Sequence, residues 1–297
     1  CYHLLFYWCY LLLFIGVIIC YFTGATICYF TGVTICYFIG VSIGFSFYLA
    51  LLLGPIIAKS HGLQGIFSIT AIFALLCIPL VVWSVPNAKN IAPAGETLPV
   101  VKDLQHLFMH GKLARLNIGV CILHLLITLL FVQLPGLLKQ QGIMLDEQWS
   151  IYLPVLILSV VGMAMLMRVS AKFGQAQIIL VSIGLLGLSF LGFWQFSSEY
   201  WGLMIVVWLF FTGFNYLEAN FPAMVSSIAP AGKKGSAMGI YASAQFLGAF
   251  LGGLISGLVQ QYFVSQLIFI LAAILCVIWL IIFVKKCVFL PRRSVHY

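Results

Sequence analysis

The sequence predicts an all-α polytopic membrane protein, and three observations carry that prediction. Of its 297 residues 64% are hydrophobic and only 7% charged, with a mean hydropathy of +1.17, whereas soluble domains carry about a quarter charged residues. The apolar residues fall in long runs, each close to the ~20 residues that cross a bilayer as a helix. The 14 lysines and arginines gather between those runs. A net charge of +8 distributed in this way fits membrane topology, and no nucleic-acid partner is expected. The nine cysteines show no CxxC pair and no spacing with histidine, so no metal, disulfide or other cofactor is expected.

The first element is the least ordinary. From Cys1 to Ala58 there is no Asp, Glu, Lys or Arg, and the run is too long to read as a cleavable signal. It contains an eight-residue repeat: CYFTGATI at Cys20, CYFTGVTI at Cys28 and CYFIGVSI at Cys36. Eight residues advance a helix about 80° beyond two turns, so equivalent positions drift around it. Residues 1–36 are therefore read as a tandem duplication of the coding sequence rather than a functional solenoid, whose units run ~20–50 residues.

Spans are then expected at Tyr37–Ala58 and Gly65–Trp83, together residues 37–83. A polar connector follows over 84–113, with Pro86, Pro93 and Pro99 and a short amphipathic surface helix in VVKDLQHLFMHGKL. Six more spans are expected within residues 114–286, at Leu116–Gln133, Trp149–Met167, Ile178–Trp194, Trp201–Ile228, Met238–Gln260 and Leu267–Val284. A basic tail closes the chain at 287–297. With the 84–113 connector in the cytoplasm, 12 of the 14 basic residues fall inside and only Lys59 and Lys139 outside, which orients the C-terminus to the cytoplasm.

Residues that are costly in a bilayer are the candidates for function. Glu218 shares a helical face with Asn215 and Pro222, at i−3 and i+4. Pro222 lacks an N–H, so the Glu218 carbonyl loses its usual partner and a kink is expected. Glu218 lies about 27 Å along the helix from Tyr200, so it reads either as a gating or proton-titrating carboxylate or as a structural partner of Arg168 or Lys172. His124, mid-span in LNIGVCILHLLITLLFVQLPG, reads either as a second titrating group or as a histidine bonded to a neighbour. Gln133, Asn215, Tyr216, Asn220 and Gln245 either line a cavity or join helices. Small residues recur at Gly239, Gly248, Gly252, Gly253 and Gly257, and the end of that pattern returns at Ala50, Gly54, Pro55 and Ala58. One such stripe is ordinary close packing; two, six spans apart, point to a repeated carrier whose halves meet along them. No GxSxG, HExxH or Walker-type loop is present, and an enzyme is not expected.

These residues resemble the major facilitator superfamily. LLLGPIIA at Leu51–Ala58 is similar to the glycine-rich signature of that family's fifth helix, and Gly239 through Gly257 to the degenerate copy in its eleventh. MRVSAKFGQ, with Arg168, Lys172 and Gly174, resembles the basic loop between helices 8 and 9, though without its acidic residue. The segment from Asn215 to Gly253 resembles the YajR-type proton-linked drug-transporter branch. The resemblance covers about residues 40–286, helices 5–12 of a partial major facilitator fold. It implies a monomeric bacterial inner-membrane antiporter, embedded in lipid, that couples proton entry to efflux of small amphipathic compounds by alternating access. Helices 1–4 have no counterpart, so the chain is expected to be truncated; the alternative is an inactive remnant or a non-transporting partner subunit.

Overall fold

The computed structural model describes residues 32–84, 105, 107–230, 233–264 and 266–287. Residues 1–31 of the repeat region, most of the connector helix and the tail beyond Cys287 lie outside the described residues, as do Lys89, Lys102, Arg292 and Arg293. Among the described residues seven long helices follow one another: α1 (Gly32–Ser84), α2 (Gly111–Gln140), α3 (Trp149–Phe173), α4 (Gln175–Phe196), α5 (Tyr200–Ile228), α6 (Lys234–Tyr262) and α7 (Leu267–Cys287). Among the described residues six helices, α2 to α7, are long and apolar enough to cross a membrane. They fall on the six apolar runs expected within residues 114–286, each long enough to cross a bilayer as a helix.

Over residues 37–83, where two spans are expected, α1 consists of two helical arms in series. It is helical from Gly32 to Ser84 but broken at Gly62, where φ is 60° and ψ −156°. Its arms Ile56–Gly62 and Gln64–Leu80 meet at 110°. That backbone conformation is open only to glycine, so one residue makes the turn for which the charge pattern requires a loop. Ala50 and Ile66 pack together across the break, with Leu49, Ile57, Ala58, Ile69 and Phe73 around them.

Contacts gather the described residues into two units that do not follow chain order: those up to Leu156 with 218–253, and 157–217 with those from Leu254 onward. In the first unit α2 is the central helix, with 72% of its apolar window buried. It ends in a turn closed by Gly142 at φ 82°, where Ile143 N–H donates to Leu138 O at 3.0 Å and Gly142 N–H to Lys139 O at 3.0 Å. These bonds satisfy carbonyls that the last turn would leave open. In the second unit α4 packs on α7, and an aromatic core forms from Phe190, Phe193, Phe210 and Phe269. The Phe190 and Phe210 rings meet edge-on at 5.6 Å, and those of Phe193 and Phe269 stack at 5.4 Å. Burying such rings stabilises the unit beyond simple area, by about 0.5–1.5 kcal/mol per pair.

Candidate functional site

The first unit brings together two of the polar residues that the sequence singles out as out of place, and a third from the cavity-lining set. His124 comes from the middle of α2, Glu218 from α5 ten residues before its end, and Gln245 from α6. All three positions follow from helix geometry. α6 closes on α2 through glycine: a Cβ on Gly248 would overlap the main chain of Cys121, and one on Gly252 would lie 2.6 Å from the Leu125 carbonyl oxygen. That approach sets Gln245, one turn earlier, opposite His124.

The imidazole is held from both sides. His124 Nδ1 lies 3.2 Å from the Val120 carbonyl oxygen, and its Nε2 lies 2.7 Å from Gln245 Nε2. Glu218 Oε2 is 3.9 Å from the same His124 Nε2. Both residues are buried, at 8% and 7% exposure, so a charge placed on either would be barely screened by water. Among the described residues Glu218 Oε2 has no hydrogen-bond donor, and the buried Tyr241 hydroxyl on α6 has no partner either. Tyr241 lies within electrostatic reach of Glu218. α5 continues as a helix through Pro222, where the missing N–H leaves the Glu218 carbonyl without its intrahelical donor. The arrangement can hold or pass a proton between an imidazole and a carboxylate, and it gathers polar side chains of three helices.

The other candidates go elsewhere. Asn215 Nδ2 donates to Ser159 Oγ at 3.0 Å, joining α5 to α3, and the Tyr216 hydroxyl pairs with Ser170 Oγ at 2.9 Å; both contacts lie in the second unit and act between helices. Gln133 is buried on α2 with an unpartnered amide nitrogen, and Asn220 is buried on α5. Arg168 and Lys172 are exposed, with Lys172 Nζ 5.4 Å from the Phe173 ring centroid. The partner that the geometry supplies to Glu218 is His124, not the basic loop. Gly174, at φ 101°, caps the start of α4. Of the small residues, Ala50 and Gly54 are buried, the Pro55 side chain is outside the described residues, and Gly239 and Gly257 face open space. Gly253 has Thr128 Cγ2 at 4.0 Å as its nearest neighbour. The close approach at Gly248 and Gly252 is therefore to α2, inside the six-helix segment, rather than to the α1 stripe that the repeat suggested. Two buried polar residues on the same helices escape a reading of the sequence. Tyr241 looks ordinary in an apolar helix; its signal is the face it shares with Gln245, Gly248 and Gly252. Asn117, whose Oδ1 is buried without a partner, is marked by its place two turns before His124.

The fold is that of a polytopic helical membrane protein, with six helices long and apolar enough to cross a bilayer among the described residues. Residues 148–295 match the Major Facilitator Superfamily. The chain is 36% identical over 240 residues to the inner membrane transport protein YajR of Escherichia coli K12, covering 80% of this chain and 52% of that one. An uncharacterized transporter of Buchnera aphidicola subsp. Acyrthosiphon pisum is 31% identical over 205 residues, 68% of this chain and 53% of that one. The chain thus spans about half the length of these curated relatives. The crystal structure of the human organic anion transporter MFSD10 (TETRAN) superposes with a TM-score of 0.67 at 17% identity, over 92% of this chain and 76% of that one. The chain belongs to the major facilitator superfamily, a family of secondary transporters, and carries part of its fold.

Proposed function

We propose that the chain works as part of a proton-coupled secondary transporter that extrudes small amphipathic compounds by alternating access. Glu218 and His124 form its gating and proton-carrying pair. The single observation behind this reading is the 3.9 Å approach of the two groups in a buried setting, where an ionisable pair is expensive unless it is used. The distribution of basic residues supports an inner-membrane protein with a cytoplasmic C-terminus, and the family supports a monomer acting on a small-molecule substrate.

The test uses the full chain in inverted membrane vesicles, with the Escherichia coli relative as reference and an amphipathic fluorescent dye as probe. Dye extrusion is expected to collapse when a protonophore removes the pH gradient, and Glu218→Gln should abolish it. Extrusion that survives loss of the gradient rules out proton coupling. Extrusion by the reference but none by the chain favours a non-transporting partner subunit. Glu218→Gln should also change the labelling of cysteines introduced along α5, and an unaltered pattern counts against gating.

A further inference from the structure

One nitrogen of His124 faces two groups that cannot be served at once. The Val120 carbonyl oxygen can only accept a hydrogen bond, so at 3.2 Å Nδ1 carries the proton. A neutral imidazole then has its lone pair at Nε2, and the Gln245 amide at 2.7 Å donates to it. Glu218 Oε2, 3.9 Å from that same nitrogen, is left with no donor. Glu218 from α5 faces the imidazole, Tyr241 from α6 lies within electrostatic reach of that carboxylate, and Cys121 stands one turn before His124 on α2. No lysine, arginine or aspartate is buried among the described residues.

We propose that Gln245 is a positioning residue that fixes His124 in its Nδ1–H tautomer and keeps Nε2 unprotonated towards Glu218. Proton arrival at Nε2 then exchanges the Gln245 bond for a bond to Glu218. The proton balance is simple. The incoming proton binds the Nε2 lone pair, Nδ1–H stays on the Val120 carbonyl, and the new Nε2–H donates to the Glu218 carboxylate. The Gln245 amide, having lost its acceptor, turns its oxygen inward or withdraws with α6. Three helices thus read one protonation event. This exchange rests on the proton-carrying reading above, whereas the tautomer assignment rests on the hydrogen-bond geometry alone.

Nitrogen NMR on the full chain, labelled with 15N-histidine in lipid and assigned by the signals lost in His124→Gln, tests both parts. At neutral to alkaline pH the expected pattern is a protonated Nδ1 and a bare Nε2. Gln245→Glu, whose carboxylate can only accept, should move the population towards Nε2–H by about fivefold or more, the effect of one hydrogen bond of ordinary net strength. Gln245→Leu should move it the same way, and if that variant does not fold Gln245→Glu decides. An Nε2–H tautomer in the unaltered chain, or an unchanged ratio in Gln245→Glu, overturns the role of Gln245. On acidification Glu218→Gln should alter the Nε2–H signal of the charged imidazole; an identical signal overturns the exchange. If the tautomer results hold while dye extrusion ignores the pH gradient, Gln245 keeps its role and the transport reading fails.

Discussion

Gly248 of α6 lies against the carbonyl of Cys121 in α2, too close for any Cβ to stand between them. Main chain cannot move aside as a flexible side chain can. Gly248→Ala and Gly252→Ala should therefore each lower stability by about 1–3 kcal/mol, the usual cost of overpacking. Gly239→Ala and Gly257→Ala, which meet open space, should be neutral or slightly stabilising because alanine favours the helix. Thermal unfolding of the four variants in one detergent separates the two classes, and equal losses would mean that the stripe is not a contact.

Gly62→Ala places a side chain at φ 60°, ψ −156°. No atom would clash with the added Cβ, so the expected loss of about 1–3 kcal/mol is backbone strain alone. Gly62→Asn should cost about as much, since its tolerance for positive φ is confined to the left-handed helical region. A Gly62→Ala variant as stable as the parent would show that the break is not a glycine turn.

Lys59, beside the α1 break, forms an ion pair with Asp146 in the turn between α2 and α3. The lysine, first as hydrogen-bond donor and then as charge, holds the Asp146 carboxyl below its usual range. The sign follows directly. The pair is intact at pH values above the ordinary aspartate range and is lost as pH falls through the lowered Asp146 value. Lys59→Ala should return the Asp146 midpoint towards the ordinary ~3.9, read by carboxyl 13C NMR. A midpoint that stays put would dissolve the pair. Little change in overall stability is expected, because the pair is exposed.

Asn215 and Ser159 meet at 3.0 Å in a buried setting. Asn215→Leu should cost about 1–3 kcal/mol, and a double-mutant cycle with Ser159→Ala should return a coupling above ~0.5 kcal/mol. Additive losses in unfolding measurements would place the two residues apart.

The helices from Gly111 onward are legible because a bilayer demands a long apolar run for each crossing, and most of the six runs are bounded by charged residues, the last two by the polar stretch around Gln260, Gln261 and Gln266. Glu218 and His124 were legible as polar groups in the wrong surroundings. Their meeting was not: the offset between helices almost a hundred residues apart depends on packing, here on glycines of α6 whose spacing does not name the helix they will touch. The same spacing pointed to the stripe at Ala50–Ala58, while the backbone actually approached is that of Cys121 and Leu125. Lys59 and Asp146 look like ordinary loop charges until the fold sets them side by side, and Gln245, one more glutamine in an apolar helix, gains its meaning from His124.

The glutamine that opens the way into α3 has a practical use. Gln148, at 1% exposure, donates from its amide to the Pro135 carbonyl at 3.1 Å and accepts from the Tyr152 hydroxyl at 3.1 Å. The end of α2 and the first turn of α3 are thereby stapled together, while Met144 and Leu145 between them stand in the open. A fluorophore or spin label on either residue would ride on that stapled corner instead of swinging on a loose loop. It would serve as a faithful pointer to where the C-terminal end of the His124 helix goes.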